Sequence, residues 1–201
     1  MIVVITTYLF DLDDTIIDST IYARIYPQII SLIKFRFDLT SNDLDHKAQE
    51  LGLKKNKFSR WDTGELCKKL GLLKEYYAIL EEQIKVSPVL HNMVMTVFTN
   101  IKSRKKKIAV VSNSMTRTIQ LYIKRYKLNN YLDFVFSYDD AQSNKKNNEK
   151  YWVILIQKHK LIPKECLVVG DDSEQDRNVP RKLGFQTFLL KKPEDLRQLI
   201  V

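Results

Sequence analysis

Short apolar blocks alternate with amphipathic stretches along most of the chain. Five apolar runs, rich in Val, Ile, Leu or Phe and bounded by polar residues, have the length and composition of buried strands. These predicted strands are Val3–Phe10, Ile108–Ser112, Phe134–Ser137, Leu167–Gly170 and Thr187–Leu190. The predicted helices between them are Ser114–Lys127, Asn148–His159 and Ser173–Leu183. This alternation predicts an α/β fold with a doubly wound sheet of parallel strands joined by right-handed crossovers.

The first of these helices carries apolar residues that should face the sheet. Leu121, Ile123 and Tyr126 lie on the stretch 114–127 and are its most apolar positions toward the end. A helix that packs on a sheet buries one apolar stripe and exposes the rest. We therefore expect these three side chains on the buried side of the helix.

One interval breaks the alternation. From Ser19 to about Lys85 the chain shows helical patterns and turn signals but no strand pattern, with a capping start at Thr40–Asp43. We expect a core domain of residues 1–18 and 86–201, and a small all-helical subdomain of residues 19–85. Ligands bind to open α/β sheets beyond the carboxyl ends of the strands. An insert after the first strand is therefore expected to form a cap over the ligand.

The apolar start of the chain, MIVVITTYLF, could also be the core of a signal peptide. It has no basic start, and acidic residues follow it where a small-residue cleavage site would lie, so we predict a buried strand. No later apolar run approaches the roughly 18 residues that a membrane span requires. We therefore expect no association with a membrane.

The net charge of +9 suggests an anionic partner. The densest basic run, KSRKKK at residues 102–107, lies between a predicted helix end and a predicted strand. Cations there complement the carbonyl end of the helix dipole, and no aromatic ladder accompanies them, so we expect no nucleic-acid partner. The two cysteines, Cys67 and Cys166, are far apart and in no metal-binding spacing. This usage favours a reducing, cytoplasmic setting.

Polar residues follow the carboxyl ends of the predicted parallel strands, where they should meet in one crevice. They are Asp11, Asp13, Asp14 and Thr15 after the first strand, Ser112 and Asn113 at the second, Lys145 and Lys146 after the third, and Asp171, Asp172 and Asp176 after the fourth. Crowded carboxylates repel one another, so a cation is expected among them. Mg²⁺ prefers such oxygen ligands, and Asp11 and Asp171 could share one ion.

The other groups in this crevice suit a phosphate. Ser112 and the backbone amides that open the next helix would hold an anion. A lysine would balance the charge of a carboxylate nucleophile and of an anionic substrate. Positioning and charge neutralisation dominate the catalysis of phosphoryl transfer, so the crevice is predicted to serve that reaction.

Four motifs stand in a characteristic order. They are DxDxT at Asp11–Thr15, an apolar strand that ends in Ser112, a lysine, and GDxxxxD at Gly170–Asp176. With these motifs the chain resembles the haloacid dehalogenase superfamily, on its phosphatase side, and the likeness covers essentially the whole predicted core. The segment SYDDAQSNKK is similar to the family's stretch before its lysine, which selects Lys145, with Lys146 as the alternative. The helical insert lies where this family places its cap.

The resemblance implies that Asp11 attacks phosphorus and forms an aspartyl-phosphate, which water then hydrolyses. Asp13 would protonate the leaving group, later activate water, and bind the metal through its backbone carbonyl. Lys145 would be the catalytic lysine, and Thr15 would orient the loop. The expected activity is therefore a Mg²⁺-dependent phosphatase acting on a small phosphorylated metabolite.

The resemblance also assigns the binding residues. Ser112 would bind phosphate and Asn113 would line the pocket. Asp171 would be a metal ligand with Asp11, and Asp176 would assist directly or through water, with Asp172 as the alternative.

Three other activities stay open from the sequence. A dehalogenase of the same superfamily typically lacks an acid two residues after the nucleophile, so Asp13 disfavours it. A phosphomutase shares the same phosphoenzyme chemistry and differs through its cap. A response-regulator receiver also combines acids, a hydroxyl residue and a lysine on a doubly wound sheet, but it has no helical insert after its first strand.

Overall fold

The computed structural model describes residues 4–56 and 59–200 of the chain. Contacts between Cα atoms divide the chain into two compact units. The first unit runs up to Asp18 and resumes at Val89, and the second is Ser19–Pro88. Whether the second unit acts as a cap stays a prediction.

The first unit contains one sheet of five parallel strands. They are β1 (Thr7–Phe10), β2 (Lys107–Val111), β3 (Phe134–Phe136), β4 (Cys166–Gly170) and β5 (Gln186–Leu189). Their order in space is β3-β2-β1-β4-β5, so the chain winds outward from β1 to β3 and then crosses back to β4 on the other side of β1. Right-handed crossovers in opposite directions place helices on both faces of the sheet. The predicted doubly wound α/β fold is confirmed.

The strand at the centre is shorter than the sequence predicts. β1 begins at Thr7, whereas the predicted strand begins at Val3, which lies outside the described residues. Tyr8 of β1 stands opposite Ile108 on one side and opposite Leu167 on the other. β1 is therefore hydrogen-bonded along both edges, and all four of its side chains are buried.

The second unit is helical, with no strand among its described residues. Its helices are α1 (Thr20–Phe37), α2 (Ser41–Glu50), α3 (Thr63–Lys69) and α4 (Leu73–Val86). Every fourth residue along one side of α1 is fully buried, and these residues are Ile21, Ile25, Ile29 and Ile33. α2 starts with a capping box, because Thr40 Oγ1 accepts from the Asp43 amide at 3.2 Å and Asp43 Oδ2 accepts from the Thr40 amide at 2.9 Å. The unit thus has its own core and its own helix caps.

Four helices belong to the first unit: α5 (Val94–Ser103), α6 (Thr116–Tyr126), α7 (Glu149–His159) and α8 (Val179–Lys182). The structure buries Thr118, Ile119 and Tyr122 of α6 and leaves the three predicted residues half-buried. At 3.6 residues per turn, Ile123 and Tyr126 lie on the same side as Ile119, and Leu121 is the one predicted residue that lies on the other side. A wide, π-type turn at Ser173–Asn178 precedes α8. Pro180 has no N–H to donate to the preceding turn, which breaks the regular helical ladder there.

The two faces of the sheet are filled by different side chains of β1. Leu9 points into a buried cluster that includes Trp152 and Leu155 of α7. Phe10 points to the other face, where its ring lies 5.0 Å from the ring of Phe98 on α5. Because side chains alternate along a strand, β1 contributes to both cores. Among residues 4–56 and 59–200, no helix has the length and apolar character needed to cross a membrane.

Replacement of Leu9 by alanine should test this central packing. Leu9 is fully buried, so Leu9→Ala leaves a cavity in the middle of the sheet and should lower the free energy of unfolding by about 2–5 kcal/mol. The control Ile162→Ala removes a similar side chain that is 51% exposed and should cost less than about 1 kcal/mol. Urea denaturation measures both values, and equal losses would contradict the placement of Leu9 in the core.

Candidate active site

The candidate site lies at the carboxyl end of β1. This strand is the point at which the strand order reverses, with β2 on one side and β4 on the other. Ligands of open α/β sheets bind at such a point, just beyond the strand ends. Asp11 is the first residue after β1, Ser112 follows β2, and Asp171 follows β4. Three of the predicted residues are therefore brought to the same edge by the sheet itself.

A buried ammonium group lies at the centre of the site. The side chain of Lys146 is 2% exposed. Its Nζ donates to Asp11 Oδ1 and, at 2.6 Å, to Asp176 Oδ1. Asp176 is itself fully buried and Asp11 nearly so. Charges at this depth are tolerated only when they are paired and hydrogen-bonded. The three side chains therefore form one ion-paired cluster.

The pKa values follow from one cation shared among several anions. Burial raises the pKa of Asp11 well above its ordinary value, the charges of Asp176 and Asp13 raise it further, and Lys146 only partly opposes them. Burial alone would lower the pKa of Lys146, but the carboxylates of Asp11 and Asp176 raise it above its ordinary value. Lys146 therefore stays charged, while the site as a whole carries excess negative charge.

The catalytic lysine selected from the sequence differs from the one that the structure brings to Asp11. The motif alignment selects Lys145, whose side chain is exposed, whereas the next residue, Lys146, points inward. The loop before them contains Gln142 and Ser143 in the left-handed region, with φ values of 53° and 62°. Such a turn decides which of two adjacent side chains faces the site, and motif spacing does not encode it.

Asp176 reaches Lys146 by passing over a glycine. A Cβ atom on Gly170, the last residue of β4, would lie 2.2 Å from Asp176 Cγ and 2.2 Å from its Oδ2. No side chain of any size fits this gap. Asp176 Oδ2 also accepts a hydrogen bond from the Asp172 amide at 3.1 Å. The glycine of the GDxxxxD motif is thus required for close approach of the buried carboxylate.

Three carboxylates form a group that could hold a metal ion. Asp11, Asp171 and Asp176 each offer an oxygen, and these oxygens lie within 4.8 Å of one another. Asp171 is exposed, so the group is open to solvent on one side. Partial burial in the crevice and the charges of Asp176 and Asp14 nevertheless raise the pKa of Asp171 to about 6. Clustered hard oxygen ligands fit Mg²⁺, which retains several waters.

The structure separates the two acids that the sequence left as alternatives. Asp176 lies in the carboxylate group, whereas Asp172 caps the π-type turn. Asp172 Oδ1 accepts from the amides of Glu174 at 2.9 Å and of Gln175 at 2.8 Å. Asp172 Oδ1 is therefore committed to the backbone of its own loop.

Asp13 faces the loop that follows β2. Its Oδ2 accepts a hydrogen bond from Ser114 Oγ at 3.4 Å, a contact that sequence reasoning missed. A tight turn follows Asp13, with Asp14 at φ 55° and its amide donating to the Ile17 carbonyl at 2.7 Å. Thr15 lies in this turn and is fully buried, and its hydroxyl has no hydrogen-bond partner among the described residues.

Ser112 and Asn113 have different surroundings from one another. Ser112 is 1% exposed, and its Oγ accepts from the Ser114 amide at 3.0 Å, which leaves its O–H able to donate. The Asn113 side chain instead contacts two other loops, with its Oδ1 accepting from the Lys146 amide at 2.8 Å and its Nδ2 donating to Gln175 Oε1. The Asn113 side chain thus connects the loops that contain Lys146 and Gln175, whereas the Ser112 hydroxyl still has a hydrogen that it can donate to an anion.

The fold is of the doubly wound α/β class, and the comparisons name its family. The model of the family described as haloacid dehalogenase-like hydrolase matches residues 8–190. The chain therefore belongs to the haloacid dehalogenase-like hydrolases. This membership removes support for a receiver, and so does the strand order, because receivers have the order 2-1-3-4-5.

Solved structures share this fold at low sequence identity. A HAD phosphatase from Thermococcus onnurineus is 18% identical, with a TM-score of 0.75 and 97% of each chain covered. The magnesium-bound Bacillus subtilis protein YfnB, described as a HAD-hydrolase, is 18% identical, with a TM-score of 0.63 and 98% of this chain and 99% of that chain covered. A Thermotoga maritima protein described as a β-phosphoglucomutase is 15% identical, with a TM-score of 0.59 and coverage of 97% and 98%. No curated protein matches the chain.

Removal of the buried ammonium should destabilise the protein strongly. Lys146→Met keeps a side chain of similar length but leaves Asp11 and Asp176 without their cation, which at neutral pH should lower the free energy of unfolding by about 3–5 kcal/mol. The matched control Lys145→Met changes an exposed side chain and should stay within about 0.5 kcal/mol of wild type. Denaturant unfolding distinguishes the two lysines, and a larger loss at Lys145 would refute the placement.

A double-mutant cycle should test the gap above Gly170. Gly170→Ala forces the new methyl group against the Asp176 carboxylate and should lower the free energy of unfolding by at least about 1–3 kcal/mol. Asp176→Ala would still leave the Asp176 Cβ 2.7 Å from the new methyl group, whereas Asp176→Gly removes every clashing atom. Adding Gly170→Ala in the Asp176→Gly background should therefore cost much less. If the cost of Gly170→Ala is the same in both backgrounds, the clash is not with Asp176.

Proposed function

We propose that this hydrolase is a Mg²⁺-dependent phosphatase that acts on a small phosphorylated metabolite. The observation that carries the proposal is the surroundings of Asp11. Its carboxylate accepts a hydrogen bond from the ammonium of Lys146, and it belongs to a group of three carboxylates whose oxygens lie within 4.8 Å of one another. A buried carboxylate that contacts a cation and is part of a cation-binding group is suited to accept a dianionic phosphoryl group.

The residues of the chain have distinct roles in this proposal. Asp11 attacks phosphorus, the leaving group departs, and an aspartyl-phosphate forms on its side chain. Lys146 neutralises part of the charge that builds up on the transferred phosphoryl oxygens. Asp13, held by Ser114, gives its proton to the leaving oxygen and then takes a proton from the water that hydrolyses the aspartyl-phosphate.

Asp11, Asp171 and Asp176 would hold the metal ion. The backbone carbonyl of Asp13 would be a further ligand. When bound, Mg²⁺ supplies positive charge to the phosphoryl oxygens and to the crowded carboxylates. Ser112 then contributes a hydroxyl donor, and the start of the loop before α6 contributes backbone amides for the remaining phosphate oxygens.

Part of the basic run at residues 102–107 has a structural role. Lys102 pairs with Asp133 at 3.0 Å. Arg104 donates to the Leu199 carbonyl at 3.2 Å and lies 5.8 Å from the ring of Tyr8. These two charges have partners inside the protein, so the run by itself is no argument for a nucleic-acid partner.

A phosphomutase would use the same aspartyl-phosphate. The two activities differ in the acceptor of the phosphoryl group, which is water in one and a second substrate hydroxyl in the other. A dehalogenase is disfavoured by Asp13, because displacement of halide needs no proton donor at that position. Hydrolysis of a simple ester separates these activities.

Turnover of p-nitrophenyl phosphate should require both Mg²⁺ and Asp11. We expect wild type to hydrolyse it in the presence of Mg²⁺ and to lose activity when the metal is removed by a chelator. Asp11→Asn keeps the shape of the side chain and removes the nucleophile, so hydrolysis should fall by at least about 10³-fold. Asp13→Asn should lose about 10²–10⁴-fold through loss of the acid and base.

Asp172→Asn is a control for the loss of an acid in the same crevice. Because Asp172 caps a turn, this variant is expected to lose less activity than Asp11→Asn. Binding of Mg²⁺ can be followed separately by calorimetry. If wild type binds Mg²⁺ but transfers phosphate only to an added sugar and never to water, the phosphatase proposal fails in favour of a mutase. Turnover that persists in Asp11→Asn would remove Asp11 as the nucleophile.

A further inference from the structure

Two carboxamide side chains, Asn113 and Gln175, join end to end between three loops of the site. Asn113 Oδ1 accepts a hydrogen bond from the Lys146 backbone amide at 2.8 Å. Asn113 Nδ2 donates to Gln175 Oε1. Gln175 Nε2 donates in turn to Asp172 Oδ2 at 3.1 Å. The chain of hydrogen bonds thus runs from the loop after β3, through the loop after β2, to the turn after β4.

The direction of this chain is fixed by its two ends. The backbone amide of Lys146 can only donate, and the carboxylate of Asp172 can only accept. Asn113 must therefore present its oxygen to Lys146, which leaves its NH₂ group facing Gln175. Gln175 must then present its oxygen to Asn113 and its NH₂ group to Asp172. If either carboxamide reversed, two donors or two acceptors would face one another.

The same residues close into a ring around Lys146. The Asp172 amide donates to Asp176 Oδ2 at 3.1 Å, and Asp176 Oδ1 accepts from Lys146 Nζ at 2.6 Å. The carbonyl of Lys146 is also held, because it accepts from Trp152 Nε1 at 2.8 Å. Side chains rather than regular secondary structure therefore fix both polar groups of the Lys146 backbone.

We propose that Asn113 and Gln175 are positioning residues, whose one-way chain of hydrogen bonds to Asp172 holds the Lys146 ammonium against Asp11. The inference rests on the proposed function, and it gives Asn113 a role in place of the pocket-lining role expected from the sequence. Neither residue needs to touch the substrate. A shift of about 1 Å in a catalytic group can cost about 10²-fold in rate, so a chain that fixes the Lys146 backbone controls the rate through geometry.

Isosteric substitutions should break the chain at defined links. Asn113→Asp replaces the NH₂ group by an oxygen that faces Gln175 Oε1, and reversal of Gln175 only moves the conflict to Asp172. Gln175→Glu creates a conflict of two acceptors directly at Asp172. For each variant we expect kcat for p-nitrophenyl phosphate with Mg²⁺ to fall by about 10- to 100-fold with KM little changed. Hydrogen exchange of the Lys146 amide, followed by NMR, should become faster.

One further substitution should repair both variants. Asp172→Asn provides an NH₂ group at the end of the chain, while its remaining oxygen can still accept from the amides of the turn. In combination with Gln175→Glu it restores a donor and an acceptor at the broken link. In combination with Asn113→Asp it allows Gln175 to reverse, so that every donor meets an acceptor. We expect both double variants to regain most of the lost kcat and the slow exchange of the Lys146 amide.

Two controls separate hydrogen-bond direction from charge. Glu174→Gln removes the same charge from the same turn, but the Glu174 side chain accepts from Asn178 Nδ2 at 2.8 Å and lies outside the chain. It should therefore fail to repair Asn113→Asp. Asn147→Asp adds a charge at an exposed residue next to Lys146 and should behave as wild type. Equal repair by Glu174→Gln and by Asp172→Asn would overturn the proposal, and so would no repair by either.

The two readouts distinguish failure of this proposal from failure of the proposed function. If wild type does not hydrolyse the ester, the phosphatase proposal fails. The chain of hydrogen bonds is then tested by the exchange rate of the Lys146 amide alone. Faster exchange in Asn113→Asp and slow exchange in its double variant with Asp172→Asn would support the chain. Unchanged exchange in Asn113→Asp would overturn it. If Asn113→Asp does not fold, as judged by circular dichroism, the same comparison is made with Gln175→Glu.

Discussion

One buried ammonium group determines how the site is built. Lys146 has almost no contact with water, and it is held there by the carboxylates of Asp11 and Asp176. A charge at that depth is tolerated only if its partners stay within hydrogen-bond distance. The loops that follow β1, β3 and β4 each supply one of these three residues. The positions of these loops are therefore coupled, because a shift of any one of them breaks an ion pair and leaves a buried charge without its partner.

This coupling leaves an imbalance of charge that has chemical consequences. The carboxylates of Asp11, Asp171 and Asp176 converge on one place, and a single lysine faces them. Burial raises the pKa values of Asp11 and Asp171, and the charges of neighbouring carboxylates raise them further. In the proposed phosphatase, a bound cation would relieve this repulsion and would leave the charges of the site close to balanced for an incoming phosphate.

The sheet and the acids of the site follow patterns that are local in the sequence. Each strand is a short apolar run, and Asp11 or Asp171 follows its strand directly, so their convergence was predictable from parallel pairing alone. The choice between Lys145 and Lys146 was not, because it depends on the left-handed backbone of Gln142 and Ser143. Asn113 and Gln175 are 62 residues apart. Their contact depends on tertiary structure, and no spacing rule indicates it.

The amphipathic pattern of α6 shows a similar limit. Ile119 and Tyr122 are buried, and Ile123 and Tyr126 lie half-buried on the same side, whereas Leu121 lies on the other side although it is equally apolar. The start of the helix fixes its rotation, because the Thr116 amide donates to Asp139 Oδ2 at 2.8 Å and the Thr116 hydroxyl lies 2.7 Å from that of Ser137. The 3.6-residue period groups Ile123 and Tyr126 with Ile119 and excludes Leu121, and contacts at the helix end hold this side toward the sheet.

Every member of the ring around Lys146 comes from the unit that holds the sheet, and none of them lies in Ser19–Pro88. The helical unit has a separate core, formed in part by the isoleucines of α1. Substitutions in that unit therefore remove none of the groups that form the ring. The residues of the ring and the residues of the helical core are two separate sets, and each set can be varied without replacing a member of the other.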